Sequence, residues 1–323
     1  MRARARAGSP GRRAPSTPDP GYDVAAMPEL PDLAVYLDAL GRRIVGHELR
    51  AIRLASPFVL RSVTPAIAEV VPRRVLGLER LGKRIVFSLA DDYFAVIHLM
   101  VSGRFQWKDA PSEKVPGRIG LLAMDFEAGT LLLTEASTKK RASLHLVRGR
   151  DGLAPFARGG LEPMDATPAA FAAALRKERH TLKRALTDPR IFAGIGNAYS
   201  DEILHRAKMS PVVRTDRLTE EEIEHLRTTT QLVLREWTER LRKETGEGFP
   251  SKVTAFRPEM AVHGKYGKPC PACGSAVQRI VYAENESNYC ARCQTGGKLL
   301  ADRSLSRLLK DNWPKTIDEL EGR

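Results

Sequence analysis

The chain has 323 residues, with 52 lysines and arginines against 39 aspartates and glutamates, and a formal net charge of +13. Hydrophobic residues make up 42% and charged residues 28% of the chain, which excludes disorder as its general state. No apolar run approaches the roughly 18 residues that span a bilayer, so we do not expect a membrane protein. The length predicts two or more domains, and the basic balance predicts a polyanionic partner, above all a nucleic acid.

The first 26 residues differ in composition from the rest of the chain. They contain five arginines, only two acidic residues and almost nothing that could be buried, which is typical of disorder. A secretory signal is excluded because the segment lacks an apolar stretch of roughly 7–15 residues. We interpret residues 1–27 as a disordered extension that results from a wrongly assigned start. A nucleic-acid arm and a targeting peptide are the alternatives.

The rest of the chain changes its periodicity twice. Apolar residues at helical spacing predict a helix over 28–45. Between about 48 and 147, short runs with turn punctuation predict seven or eight strands in a sandwich or barrel. The runs are 84–89, 94–99, 103–107, 119–126 and 130–134. Helical spacing then predicts helices at 169–177, 180–186, 198–207 and 219–242, and a last one near 304–310. The fold class is therefore α+β with several domains.

All four cysteines lie between residues 270 and 293, as two C-x2-C pairs separated by 16 residues. Each pair can supply two thiolates from one tight turn, and zinc takes four of them in a tetrahedron. Alternation over 277–283, a polar turn over 284–287 and the residues at 288–289 predict a β-hairpin between the pairs. We predict one structural zinc ion, with two disulfides or four free thiols as the alternative. Its ligands are Cys270, Cys273, Cys290 and Cys293.

The segment 191–199, which reads IFAGIGNAY, joins two predicted helices. Gly194 and Gly196 permit a tight turn, and we predict that Asn197 is the N-cap of the second helix. Free amides and the positive end of the helix dipole would suit a phosphate oxygen at this position. An ordinary capped turn between helices is the alternative. The net charge of +13 and the neighbouring zinc finger favour a contact with a DNA backbone.

Three motifs follow one another along the chain: MPELPD at 27–32, GIGNAYSDE at 194–202, and the two cysteine pairs. In this order and spacing the chain resembles the formamidopyrimidine-DNA glycosylase/endonuclease VIII family of DNA repair enzymes over nearly all of residues 27–294. The MPELP start resembles the formamidopyrimidine branch more than the endonuclease VIII branch. The resemblance adds a specific architecture and a specific chemistry to what composition and periodicity predict.

The resemblance implies an N-terminal catalytic β-sandwich with a flanking helix over 28–150 and a helix–two-turns–helix DNA-binding domain over 160–245. A β-hairpin zinc finger over 256–296 and a tail over 297–323 would follow. Double-stranded DNA with a damaged base or an abasic site would lie between the lobes. The implied protein is a bifunctional DNA glycosylase and abasic-site lyase of base excision repair. We expect it to act as a monomer in a bacterial cytoplasm, without membrane contact.

The resemblance also implies roles for individual residues. Pro28, once Met27 is removed, would attack C1′ of the deoxyribose through its secondary amine and form an iminium ion. Glu29 would protonate the ring oxygen, and elimination would then cleave the strand. Lys83 would hold the phosphate beside the lesion, and the damaged nucleotide would be flipped out of the stack. The other implied DNA contacts are Lys140 or Arg141 opposite the lesion, Lys183, Asn197, and Asn285 in the finger turn.

The chain departs from the family pattern at several of these positions. Asp32 stands where a second glutamate is usual, and the methionine that fills the vacated stack is displaced to Met100 or replaced by Val101. The segment 137–142 lacks the family's aromatic wedge. Asn285 replaces an arginine and is flanked by two acids that would repel phosphate. These departures leave two alternatives open: an abasic-site lyase with little base excision, and a non-catalytic protein that binds damaged DNA.

Overall fold

The structure is a computed structural model that describes residues 27–251, 253, 256–282, 285–301 and 314–322. The predicted N-terminal extension, apart from Met27, and the helix predicted near 304–310 lie outside these residues. Within the described ranges, no helix has the length and apolar character needed to cross a membrane.

The first domain consists of two helices and eight strands. Helix α1 begins directly after Glu29, and Pro31 in its first turn lacks an amide that a helix start would leave unpaired. The bounds are α1 (Leu30–Ile44), β1 (Glu48–Leu54), α2 (Ile67–Val70), β2 (Arg73–Leu81), β3 (Arg84–Leu89), β4 (Tyr93–His98), β5 (Gly103–Lys108), β6 (Gly120–Phe126), β7 (Gly129–Glu135) and β8 (Ser143–Arg148). The five predicted strand runs match β3 to β7 to within one residue at each end.

The eight strands follow the order β5-β7-β6-β1-β2-β3-β4-β8, and neighbouring strands are antiparallel. Strands β1 and β2 share only two register pairs, so the sheet folds over at this seam. Met124 of β6 and Phe87 of β3 come from opposite halves, yet both join one core with Tyr36 of α1. The predicted β-sandwich with a flanking helix is therefore confirmed.

The second domain is helical, and threonines begin most of its helices. Its bounds are α3 (Pro168–Arg176), α4 (Leu182–Thr187), α5 (Asn197–Arg206) and α6 (Glu220–Thr245). The hydroxyls of Thr167, Thr181 and Thr219 accept a first-turn amide of α3, α4 and α6 respectively. The apolar faces of these helices form a second core, which also takes in Leu30 of α1.

The third unit is an antiparallel hairpin with short helices packed around it. It comprises β9 (Gln278–Tyr282), β10 (Asn285–Tyr289), α7 (Ala291–Thr295) and α8 (Ile317–Glu321). We predicted a polar turn over 284–287, but Asn285 is the first residue of β10 and pairs with Tyr282. The connection in the hairpin is therefore shorter than predicted, because Asn285 and the residues after it join the strand.

The end of the chain packs against this hairpin. The amide of Ile317 donates to the carbonyl of Gly297 at 2.7 Å. Ile317 and Leu299 then form a small core with Ile280 and Tyr289. The described part of the 297–323 segment therefore contributes to the fold of the finger. The sequence pattern of the finger did not predict that residues after 297 pack against the hairpin.

Candidate active site at the junction of the first two domains

The side chain of Glu29 reaches from the first domain to the start of α5 in the second. Glu29 is only 2% exposed. Its carboxylate accepts three backbone N–H groups, from Gly196 at 2.6 Å, Ala198 at 2.9 Å and Tyr199 at 3.2 Å. A helix N-terminus presents unpaired amides and a positive dipole end, so a buried carboxylate is well matched to it. This contact joins the two domains at the point where the chemistry is expected.

The position of Glu29 corrects the prediction for Asn197. Gly196 is the N-cap of α5, and Asn197 is the first helical residue. The amides that we expected to be free for a phosphate are instead occupied by Glu29, which the sequence places 167 residues away in another domain. Asn197 is half-buried, and its side-chain amide has no hydrogen-bond partner among the described residues. That amide is therefore the group that can still donate to DNA.

Lys83 and Glu29 converge on Gly196. A Cβ atom at position 196 would lie 2.3 Å from the Nζ atom of Lys83 and 2.5 Å from the Oε1 atom of Glu29. A glycine is therefore needed here, because any side chain would displace one of the two charged groups. Burial lowers the pKa of Lys83, and the charge of Glu29 opposes this shift. The structure thus brings these two predicted site residues together.

Pro28 lies in the extended segment before α1 and is buried. The amide of Leu30 donates to the carbonyl of Gly194 at 2.9 Å, which holds this segment against the turn that precedes α5. The Oδ2 atom of Asp32 accepts the amide of Glu29 at 3.0 Å. Asp32 is thus a positioning group here, although the resemblance leads us to expect a glutamate. Pro28 is held next to the carboxylate that Lys83 approaches.

A cavity of about 210 Å³ lies beside Asp32. Its lining includes Asp32, Glu244, Phe249 and Arg257. An Nη atom of Arg257 lies 3.8 Å from the Oδ1 atom of Asp32, and the other lies 2.9 Å from the Oε2 atom of Glu244. Burial raises the pKa of Asp32 to about 6, although Arg257 and the bond from Glu29 oppose the shift. Our sequence analysis did not identify Arg257, because no motif sets it apart.

Lys183 is tied into a buried ion pair. Its Nζ atom donates to the Oδ1 atom of Asp201 at 2.5 Å and to the carbonyl of Asn197 at 2.7 Å. The Oδ2 atom of Asp201 is 2.8 Å from the Nδ1 atom of His263. Burial acts to raise the pKa of Asp201, but Lys183 and His263 outweigh it and hold that pKa below its ordinary value. Lys183 therefore supports the backbone at Asn197.

The loop between β7 and β8 holds the two residues predicted to face the base opposite the lesion. The buried carboxylate of Glu135 accepts the amides of Arg141 at 2.9 Å and Ala142 at 3.0 Å, which shapes the loop. The Nζ atom of Lys140 donates to the carbonyl of Glu135. Arg141 is exposed, and within the described part of the chain its guanidinium has no partner. Of the two, Arg141 is the side chain that is free to reach DNA.

The turn between β4 and β5 presents Val101 to solvent. Met100 is half-buried and has a φ of +56°, a left-handed conformation that glycine adopts more readily. Val101 follows it and is 36% exposed. The turn is closed by a bond from the amide of Gly103 to the carbonyl of Leu99 at 2.9 Å. Of the two alternatives for the apolar wedge, the exposed tip is therefore occupied by Val101.

His98 is a candidate residue that our sequence analysis missed. It ends β4 directly opposite Arg84, the residue after Lys83. Its Nε2 atom is buried and has no hydrogen-bond partner among the described residues. Burial, together with Arg84 and Lys83, lowers the pKa of His98 to about 4, so the ring is neutral at pH 7. A neutral ring beside Lys83 can donate one N–H to a phosphate.

The environment of Asn285 in the finger differs from the prediction. Glu286 is not a bare acid at a turn, because it pairs with Arg279 at 3.7 Å and accepts from the Nδ2 atom of Asn288 at 3.1 Å. Its charge is therefore partly compensated within the hairpin. Glu284, the other acid that we expected to repel phosphate, lies outside the described residues.

The four cysteine sulfurs form one cluster, and all lie within 4.8 Å of one another. The sulfurs of Cys270 and Cys293 are 3.9 Å apart, and those of Cys273 and Cys290 are 3.4 Å apart. A tetrahedral zinc ion with Zn–S bonds of about 2.3 Å needs sulfurs roughly 3.8 Å apart, so the residues fit this metal. Because four protein ligands leave no open position, the zinc is structural and not catalytic.

Comparison with known proteins places these features in one family. The family model described as the formamidopyrimidine-DNA glycosylase N-terminal domain matches residues 27–142, and that of the H2TH domain matches residues 160–246. The model of the zinc finger found in formamidopyrimidine-DNA glycosylase and isoleucyl-tRNA synthetase matches residues 267–296. The chain therefore carries one structural zinc site, as predicted.

The relatives extend over most of the chain. The formamidopyrimidine-DNA glycosylase of Thermus thermophilus is 33% identical over 84% of this chain and 100% of its own. An uncharacterized formamidopyrimidine-DNA glycosylase-like protein of Mycobacterium tuberculosis is 39% identical over 47% of this chain and 94% of its own. The crystal structure of the Lactococcus lactis enzyme, bound non-covalently to DNA with an abasic site, has a TM-score of 0.70 at 28% identity. It covers 83% of this chain and 99% of its own.

The three domains, the zinc site and the matched relatives define a DNA repair glycosylase of the helix–two-turns–helix type. The chain belongs to the formamidopyrimidine-DNA glycosylase family. The predicted family and fold class are thereby confirmed. The domain boundaries and the roles of single residues stay predictions.

Proposed function

We propose that this protein is a bifunctional DNA glycosylase and abasic-site lyase of base excision repair. The observation that carries the proposal is the placement of Glu29. Glu29 is the residue after Pro28, and its carboxylate accepts amides at the N-terminus of α5. The carboxylate and the Nζ atom of Lys83 both lie close to Gly196. An amine, a carboxylate and a cation that can hold phosphate are the groups that this chemistry needs.

The proposed reaction begins with a proton transfer from the amine of Pro28 to Glu29. The amine must lose a proton to attack, and we assign the proton acceptor to Glu29, the next residue, whose carboxylate is held in place by three backbone amides. The neutral amine then forms a bond to C1′, the C1′–O4′ bond breaks, and Glu29 returns the proton to O4′ as the sugar opens. The remaining amine proton goes to the departing base, or to the departing hydroxyl at an abasic site, and its bond to C1′ breaks as the iminium forms. The iminium acidifies the C2′ hydrogen, loss of that proton to water expels the 3′ phosphate, and a second elimination expels the 5′ phosphate.

The DNA contacts divide into direct and supporting groups. Lys83, the side-chain amide of Asn197 and the neutral ring of His98 supply donors for phosphate near the active site. Arg141 faces the base opposite the lesion. Lys140 and Lys183 support these surfaces through the Glu135 and Asn197 carbonyls. Asn285 on the hairpin remains a predicted contact.

The substrate is double-stranded DNA with a damaged base or an abasic site. The L. lactis relative is bound to DNA that contains an abasic site, and the present chain shares its fold. The cavity of about 210 Å³ that Asp32 and Arg257 line is the space that we assign to a flipped base. We further place the protein in the bacterial cytoplasm as a monomer on the nucleoid, because its matched relatives are bacterial. Size-exclusion chromatography with light scattering tests the monomer.

The decisive experiment compares two starts of the chain. A protein beginning at Met27 should lose that residue, expose Pro28 and form a borohydride-trapped adduct with abasic-site DNA. The 323-residue chain should bind DNA but form no adduct through Pro28, because an amide nitrogen has no available lone pair. Pro28→Gly in the short form is the matched control and should trap poorly. If the long chain traps equally well, with its start verified by mass, then a lysine is the amine. If neither form traps and neither releases a damaged base, the protein is a non-catalytic binder of damaged DNA.

A second candidate function is abasic-site cleavage with little base excision. Val101 favours it, because a short β-branched side chain at the tip of the β4–β5 turn fills less of the vacated stack than methionine would. The two functions are distinguished by measuring the rate of cleavage of an abasic duplex and the rate of cleavage of an oxidised-purine duplex under the same conditions. Val101→Met should then raise base excision selectively if the shorter side chain is the cause.

A further inference from the structure

Helix α5 carries more than the contact with Glu29. One turn beyond its start, the carboxylate of Glu202 accepts the amides of Ala261, Val262 and His263 at 2.8, 2.9 and 3.0 Å. These three residues lead into the zinc module. The same helix therefore binds the catalytic carboxylate at its N-terminus and the approach to the finger along its side.

One turn further along α5, His205 meets the zinc site itself. Its Nε2 atom lies 3.2 Å from the Sγ atom of Cys270, within the distance expected for a hydrogen bond to sulfur. His205 is 8% exposed and Cys270 is 2% exposed, so water does not compete freely for either group. The four sulfurs form the metal cluster without His205. The imidazole therefore lies outside the ligand set and touches only one of its members.

We propose that His205 is a positioning residue of the zinc site, which donates its Nε2–H to the thiolate of Cys270. A zinc-bound thiolate keeps lone pairs and negative charge, and a buried one gains from a donor. Groups that bind a ligand from behind orient it and tune its donation to the metal, and their loss typically costs about 10–100-fold in metal affinity. The donor comes from the helix–two-turns–helix domain, so the metal site is built from two domains.

Through this contact the zinc site is joined to α5 as well as to the hairpin that it stabilises. Cys270 is the first residue of the cysteine pairs, and its contact with His205 adds a bond from the metal site to the bonds that Asp201 and Glu202 of α5 make with this part of the chain. Because Glu29 binds the first amides of the same helix, the finger and the active site share one rigid element. Loss of the His205 bond should therefore weaken metal binding, while the Glu202 and Asp201 contacts keep the finger against α5.

The test uses the zinc-loaded full chain and two substitutions at one position. His205→Phe keeps an aromatic ring without a donor, and His205→Gln places an amide N–H near the position of Nε2. Zinc transfer to a chromogenic chelator gives the release rate and the affinity. The cobalt-substituted protein reports electron donation by the thiolates through its charge-transfer band. His225→Phe is the control for a histidine outside the zinc site, because His225 is exposed and its Nε2 contacts the carbonyl of Ala207 at 3.1 Å and no cysteine.

We expect His205→Phe to bind zinc about 10–100-fold more weakly and to shift the cobalt band. His205→Gln should recover most of the affinity and of the band position, and His225→Phe should resemble the unmodified chain. Equal affinity and an unshifted band in a folded His205→Phe protein would overturn the proposal. Loss without recovery by Gln would also overturn it, because it would show that an N–H donor at this position does not restore the zinc site. Thermal melting verifies that each variant is folded.

Discussion

Replacing Glu29 with alanine should cost stability as well as activity, because this carboxylate joins two domains. Three N–H groups of α5 donate to it, and the residue is 2% exposed. Removal of the acceptor leaves buried donors without a partner, which costs about 1–3 kcal/mol for each. Since water can enter the space left by the side chain, we expect a total loss of roughly 3–6 kcal/mol. Glu29→Gln keeps one acceptor oxygen and should lose about half as much.

Urea unfolding and thermal melting of the zinc-loaded protein without DNA measure this effect. A change of 1 kcal/mol corresponds to about 2–4 °C for a domain of this size, so Glu29→Ala should melt roughly 10 °C lower. Glu202→Gln is the matched comparison, because that buried carboxylate also accepts three backbone amides. It should destabilise the chain to a similar degree as Glu29→Gln. Only Glu29→Gln should also abolish excision of a damaged base.

The reasoning is refuted if Glu29→Ala melts within about 1 °C of the unmodified chain. That result would mean that the three amides find other partners and that Glu29 does not hold the domains together. A stable Glu29→Ala protein without activity would leave Glu29 a purely chemical role. A destabilised protein with full activity would remove it from the reaction.

Three further predictions follow from the same site. Gly196→Ala should abolish trapping of abasic-site DNA in a protein that still binds zinc, because its Cβ would lie 2.3 Å from the Nζ atom of Lys83; normal trapping would refute the contact. Lys83→Ala should lower the slope of log affinity against log salt by about 1 on every duplex, whereas an unchanged slope would remove Lys83 from the DNA contacts. The folded-state pKa of Asp32 is raised to about 6, so stability should fall as pH rises from about 4 to 6, where the folded chain binds more protons than the unfolded one. Asp32→Asn should therefore be more stable at pH 8 by roughly 1–3 kcal/mol, and this difference should vanish below pH 4; a constant difference would refute the pKa shift.

Much of the fold could be predicted because local sequence patterns determine it. Short apolar runs bounded by turn residues place β3 to β7 to within one residue, since both the run and the turn are local properties of the sequence. The cysteine pairs predict the zinc cluster because each C-x2-C turn holds two sulfurs together without help from the rest of the chain. The motif at 27–32 likewise places Pro28 and Glu29 beside each other, since they are neighbours in the sequence.

What the sequence could not reveal depends on contacts between distant segments. Asn197 has the ordinary character of an N-cap, yet Gly196 takes that position, and the amides at this helix start are bound by Glu29 of the first domain. No local pattern predicts such a contact between domains, because hydrogen-bond donors at a helix start are satisfied by whichever acceptor the fold brings closest.

The finger shows the same division between local and distant effects. The cysteine spacing determines the kind of metal and the number of its ligands, and both are local properties. The contact of His205 with Cys270 spans 65 positions and exists only because α5 packs against the hairpin. The same packing brings Asp201 to Ser287 and Asn288. The sequence by itself thus determined which chemical groups are present, and the tertiary structure decided which of them meet, because burial selects partners by position in space and not by order along the chain.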